Sequence, residues 1–211
     1  MSDPLVDTLF RPTVRHAPPP AIASAAPVRE VGTRTRAGNA MNRTRAALLD
    51  GARRAVAVSG TKITMAQVAA AAGVAKATLY NHFRTREAVL DALLLDEVAA
   101  LAERAQGRAL PEALVAVAQA ISDHPLLATL ACAEPATVAA LGRIDRGAAG
   151  WQIAAAAVDE LLAADGRTGG GLVLRWLASF VVSPASSNAV AEDVAALVAA
   201  LPGRPEAVVT A

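Results

Sequence analysis

From residue 44 to residue 201 the chain repeats one pattern: short apolar runs at helical spacing, separated by single glycines and prolines. Leu90, Leu94, Val98 and Leu101 recur every three or four residues, so they share one face of a helix expected at about 86–105, with Thr85 as its cap. Leu114, Val117 and Ile121 repeat the spacing behind Pro111. So do Trp151, Ala155, Val158 and Leu162 at about 148–164, and Val190, Val194, Leu197 and Leu201 at about 188–201. Pro125 and Pro135 each fit a first helical position, where an amide would have had no partner anyway. Residues 172–182 are apolar on nearly every side except at Arg175, and the run stops before Pro184. Alternating β-branched stretches are scarce, so the pattern predicts an all-α protein.

One stretch is patterned differently. Residues 64–83, TMAQVAAAAGVAKATLYNHF, read as two short helices hinged at Gly73. Thr64 followed three residues later by Gln67 is a capping-box spacing. Ala69 is small where a second helix must cross, and Gly73 takes positive φ cheaply at the turn. Val68, Val74 and Leu79 turn inward and fix the crossing. The second helix then presents Lys76, Ala77, Thr78, Tyr80, Asn81 and His82 outward. This is a helix-turn-helix whose second helix carries groove-reading side chains; the plainer reading is a helical hairpin with a polar face.

The segment GVAKATLYNHFRTREAVLDALL (73–94), preceded by KITMAQVAAAA (62–72) and a helix at 44–59, resembles the N-terminal DNA-binding domain of TetR/AcrR-type transcriptional regulators. The resemblance covers about residues 44–101 and is carried most specifically by Thr-Leu-Tyr-x-His-Phe and the basic residues after it. It implies that Thr64 and Met65 face phosphates, and that Lys76 and Ala77 reach base edges. By the same resemblance Thr78, Tyr80, Asn81 and His82 share base and phosphate contacts, and Arg86 binds the backbone. It further implies a C-terminal helical bundle that dimerises and binds a small effector, repression as the usual mode, and a cytoplasmic place on the nucleoid.

Charge changes the picture only when read along the chain. The formal net charge is +1, but residues 29–86 hold eleven Lys/Arg against two Asp/Glu, and residues 108–211 hold six against ten. A basic N-terminal part on an acidic remainder is the footprint of a nucleic-acid-binding module. The expected division is a Pro/Ala-rich disordered tail at 1–42, basic at its end, a helix-turn-helix domain at 43–88, and a ligand-binding and dimerisation domain at 89–211. The tail's basic end could track DNA or be passive, and Met41 is an alternative start just before the first helix.

A helix apolar all round must be covered all round. Residues 148–164 and 172–182 are therefore the expected interface of a homodimer, with Val158, Leu162, Val173 and Leu177 in it. His124, Cys132, Trp151, Trp176 and Phe180 are candidates for a pocket taking a small apolar or amphipathic effector, although taken singly Cys132, Trp151, Trp176 and Phe180 read first as core residues and His124 as a helix cap or turn residue. Arg175 needs a partner, whether an interfacial carboxylate, solvent or an acidic ligand group. No cofactor or metal is expected: His16, His82 and His124 match no ligand spacing, and Thr168-Gly169-Gly170-Gly171 lacks the lysine and strand of a phosphate loop. The single Cys132 suits a reducing compartment, and no segment reads as a membrane span. The competing functions are an architectural DNA binder without effector and, more remotely, a helical enzyme.

Overall fold

A computed structural model describes residues 31–204, with side-chain surroundings from Met41 onward. The parts of the expected tail at 1–30, and residues 205–211, lie outside the described residues. Helix α1 spans Val31–Ser59 and passes through a 3-10 turn, Gly60–Lys62, into α2 (Met65–Ala72) and α3 (Lys76–His82). Then follow α4 (Arg86–Ala105), α5 (Leu110–Ser122), α6 (Pro125–Ala133), α7 (Pro135–Leu141), α8 (Ala149–Ala164), α9 (Gly170–Val182) and α10 (Ser187–Ala200). Among the described residues there is no strand, only an isolated bridge between Arg167 and Gly203. The all-α expectation holds.

The caps hold too. Thr64 accepts from Gln67 N at 3.2 Å while its own amide donates to Gln67 Oε1 at 2.7 Å. Thr85 accepts from Ala88 N at 3.1 Å, and prolines open α6 and α7. Gly73 closes α2 at φ 68°, and Val74 N reaches back to Ala69 O at 3.0 Å. One boundary differs: α1 begins at Val31 rather than near residue 44, so residues 31–42 are helical and not tail. After Pro27 no proline interrupts the chain until Pro111, so the helix meets no hard stop upstream, although Gly32, Gly38 and the Thr and Asn residues between them and Met41 are poor helix formers.

Two apolar cores hold the fold. The first joins Leu48, Leu49, Val56 and Ile63 to Val68, Leu79, Phe83 and Leu90, and takes in Leu126, Leu130 and Leu141 from α6 and α7. The second joins Leu110, Leu114 and Val117 to Val158, Leu162, Val173, Leu177, Phe180, Val190 and Val194. Leu127, Trp151 and Val181 touch both. The first core therefore crosses the expected division near residue 88: α4 is shared, and α6 and α7 pack beneath the N-terminal helices.

One stretch meets the composition of a membrane span without being a single helix. Leu110–Ala133 is long and apolar enough to cross a membrane on those criteria alone. The chain breaks it into α5 and α6 at Asp123–His124, with Pro125 opening the second helix. Leu114, Ala118, Ile121, Leu126 and Leu130 then turn into the cores.

Candidate nucleic-acid interface and cavity

Helix α3 is short, and its placement comes from one fully buried residue. Leu79 is 0 % exposed, between Val68 of α2 and the aliphatic wall of α1. At 100° per residue Ala77, Tyr80 and Asn81 fall on the far side from Leu79, Lys76 lies one turn before it at the start of the helix, and all four are exposed. Tyr80, at 49 %, is a large aromatic standing in solvent. The side chains of Lys76, Tyr80 and Asn81 make no hydrogen bond or ion pair among the described residues. Thr78 and His82 are half-buried at the edge of this stripe. Thr64 is exposed at the start of α2, whereas Met65 packs partly against the first core. Arg86 opens α4 with its guanidinium 2.9 Å from Glu87.

Two contacts set the pose of α2 and α3 against α1, and neither was legible as such. Gly51 of α1 lies against Ala72: a Cβ there would sit 2.5 Å from Ala72 Cβ and 2.6 Å from its backbone nitrogen. Only glycine lets the two backbones approach this closely. Arg54 donates to Ala71 O at 2.6 Å and pairs with Asp50, tying the C-terminal end of α2 to α1. Arg45, one face along, stacks its guanidinium 5.0 Å from the Phe83 ring centroid. The charge count therefore overstates the free cations. Arg53, Arg54 and Arg86 are spent on carboxylates within the fold, while Lys62, Lys76 and Arg84 are exposed and unpaired among the described residues.

The other feature is a cavity of about 200 Å³ between α4, α5, α6, α8 and α9. Its walls are almost wholly apolar, with Leu93, Leu101, Leu114, Val117 and Leu177 among them. The exceptions are Glu97, His124 and Trp151. Glu97 accepts from Arg53 Nε at 2.6 Å, and His124 Nε2 lies 3.1 Å from its other oxygen. Burial opposes ionisation of Glu97, but hydrogen bonds from His124 and Arg53 and the charge of Arg53 outweigh it, holding this carboxyl below its ordinary value. Burial likewise works against the Arg53 charge, and Glu97 and Asp96 more than restore it. Because Arg53 stands on α1, this triad runs from the cavity wall to the helix that carries the helix-turn-helix.

A second tie lies nearby. Glu134, between α6 and α7, accepts from Thr61 N at 2.8 Å and from the Thr61 and Thr137 hydroxyls. Its carboxylate fills the space a Cβ on Gly60 would need, and Gly60 has φ +61°.

Of the five expected pocket residues, the cavity takes His124 and Trp151. Cys132 is exposed on the outer side of α6. Trp176 and Phe180 make an edge-to-face pair at 4.8 Å and pack in the second core, a rotation away from the Leu174, Leu177, Ala178 and Val181 face that lines the cavity. The expected interface residues are corrected in the same way. Val158, Leu162, Val173 and Leu177 are buried within one chain's own core, where they cannot meet a second copy. The exposed faces of these helices carry Ile153, Ala156, Leu172, Arg175, Ser179 and Val182 instead. An apolar pattern shows that a helix is covered, not which side is covered by its own chain. Arg175 is exposed and donates to Gly171 O at 3.0 Å. Among the described residues no cluster of His, Cys, Asp and Glu could hold a metal ion.

Residues 48–93 match the family model described as bacterial regulatory proteins, tetR family. The matched segment runs from the buried Leu48 through both helices of the motif into α4. No curated protein matches the chain. Among solved structures the fold is similar to the TetR family repressor AlkX from Dietzia sp. strain DQ12-45-1b, implicated in biodegradation of n-alkanes, at TM-score 0.52 and 20 % identity, covering 72 % of this chain and 92 % of that one. It is also similar to the fatty acid degradation regulator FadR from Bacillus halodurans, at TM-score 0.51 and 18 % identity, covering 73 % and 97 %. At these identities the likeness is one of fold.

Proposed function

We propose that this chain is a TetR-family DNA-binding regulator, a reading supported by the family match over residues 48–93, and a repressor that leaves a roughly palindromic operator when a small molecule fills the cavity. Residues 43–88 read DNA in this scheme, and residues 89–211 dimerise and bind the effector. The observation that carries the reading is the exposed, unpartnered stripe Lys76, Ala77, Tyr80 and Asn81 on a helix anchored by Leu79. A helix of this width fits the major groove, where its N-terminal side chains meet base edges. Thr78 and His82 flank those contacts. Thr64 and the start of α2 face phosphates, and Arg86 exchanges Glu87 for a phosphate on docking.

The partner surface is the outer face of α8 and α9. Ile153, Leu172 and Val182 are exposed by 37 %, 47 % and 56 %, and small residues lie between them. A two-fold dimer formed there carries two reading helices and calls for half-sites about 34 Å apart, one turn of the duplex. Leu172→Glu should therefore shift the chain from dimer to monomer in sedimentation at micromolar concentration; an unchanged dimer would place the interface elsewhere.

Selection of bound duplexes from a random pool tests the whole reading. An inverted repeat with one-turn spacing is expected, and recovery of no preferred sequence refutes it. On the selected duplex, Lys76→Ala should weaken binding about ten-fold. If Lys76 also neutralises a phosphate, the salt dependence of log K should become shallower by about 0.9 per protomer.

A further inference from the structure

The cavity between α4, α5, α6, α8 and α9 offers a ligand no free polar group. Of its lining residues only Glu97, His124 and Trp151 carry a polar side chain. Glu97 spends one oxygen on Arg53 Nε at 2.6 Å and the other on His124 Nε2 at 3.1 Å. The remaining nitrogens, His124 Nδ1 and Trp151 Nε1, are buried so closely that neither presents surface to a molecule the size of water. What these two rings turn to the cavity is therefore carbon. The rest of the wall is Leu, Val, Ile and Ala, with Gly150.

Such a wall discriminates by what it withholds. A hydroxyl carried into it gives up its hydrogen bonds to water and receives none in return, and a charge gives up far more. An anion also meets the Glu97 carboxylate, while an ammonium gains little from that carboxylate because Arg53 already sits on it. A hydrocarbon leaves no hydrogen bond behind. Apolar cavities stay dry, so it displaces no bound water, and it gains dispersion contacts with the aliphatic wall. Size sets a further bound. The volume, about 200 Å³, exceeds the roughly 150 Å³ of a cavity that accommodates benzene. It suits one substituted ring or a medium-length chain.

We infer that the cavity selects an uncharged hydrocarbon of this size and rejects the alcohol, acid and amine built on the same skeleton. The inference rests on the effector-cavity reading above and specifies its chemistry: recognition is by shape and the exclusion of water, without a polar anchor.

The test is calorimetric titration of the full chain with two matched series. One is ethylbenzene, 2-phenylethanol, phenylacetate and phenethylamine; the other is hexane, 1-hexanol, hexanoate and hexylamine. The hydrocarbon of at least one series should bind about ten-fold more tightly than its three polar analogues. Ala154→Leu and Ala157→Leu each enlarge a side chain of α8 that lines the cavity, and each should weaken hydrocarbon binding at least about ten-fold. Either variant suffices if the other fails to fold, and the comparison of ligands on the native chain stands without them. If an alcohol, acid or amine binds within about three-fold of its hydrocarbon in both series, the polar end finds a partner or an exit to solvent. The hydrocarbon assignment is then wrong while an effector cavity stands. If no member of either series binds, or hydrocarbon binding survives in a folded leucine variant, the cavity reading falls with it.

Discussion

Gly51→Ala is expected to destabilise the N-terminal helices by about 2 kcal/mol and to reduce operator affinity by more than ten-fold. Helix propensity predicts the opposite sign: alanine in a helix interior is better than glycine by about 1 kcal/mol. The structure reverses it, because the added Cβ falls 2.5–2.7 Å from Ala72 Cβ, N and Cα. Two of those atoms are backbone and cannot rotate aside. The crossing of α1 and α2 has to open, and α3 moves with α2 through the turn at Gly73. Because Lys76 and Tyr80 must meet base edges together, a displacement on the order of 1 Å is felt in the groove. Gly73→Ala is the control. Its Cβ meets nothing within 4 Å, so the cost there is confined to the positive φ of 68°, about 1–2 kcal/mol. Chemical denaturation and gel shift on the two variants check the prediction. A more stable Gly51→Ala protein with unchanged affinity would mean that the helices cross more loosely than described.

Gly51 also marks where sequence reading stops. The caps at Thr64 and Thr85, the turn at Gly73, the inward Leu79 and the prolines opening α6 and α7 were all legible, because each depends on a few consecutive residues. Gly51 sits in an alanine-rich helix, and its reason for being glycine is Ala72, on another helix. The same holds for Arg53. Its charge counts toward a basic footprint in the sequence, but its partners are Glu97 and Asp96. In the C-terminal half, periodicity located α8 and α9 and identified which residues are buried. It could not tell burial within one chain from burial between two, so Val158, Leu162, Val173 and Leu177 were assigned to the wrong surface. His124 was readable both as a helix start and as a pocket residue, and it is both: it precedes Pro125 at the head of α6 and lines the cavity.

Glu97→Ala should cost about 2 kcal/mol near neutral pH and separate effector binding from DNA release. Removing one member of a buried pair costs about 3–5 kcal/mol. The figure is lower here because Arg53 is about one-third exposed and retains Asp96 and Asp50, and exposed pairs are worth less than about 1 kcal/mol. The sign with pH follows from the carboxyl being held below its ordinary value of 4.5 in the folded chain. A depressed carboxyl contributes fully above the unfolded value and loses its contribution as pH falls through the folded one. The stability gap between the native chain and Glu97→Ala, read by urea denaturation, should thus be constant from pH 7 to about 5 and close below 4.5. The functional consequence has the same origin. Glu97 stands on α4, between His124 at the cavity and Arg53 on the helix that supports α2 and α3. A ligand shifts the equilibrium between DNA-bound and released forms only by its differential affinity for the two. With Glu97 gone, the polar end of the cavity no longer touches α1 through this triad. Measured at saturating ligand, so that any change in affinity at the altered cavity wall is removed, the ligand-induced loss of DNA binding should shrink at least three-fold. If the alanine variant is released from DNA as readily as the native chain, coupling runs through another contact between the two halves, and the Thr61–Glu134 tie becomes the next to break.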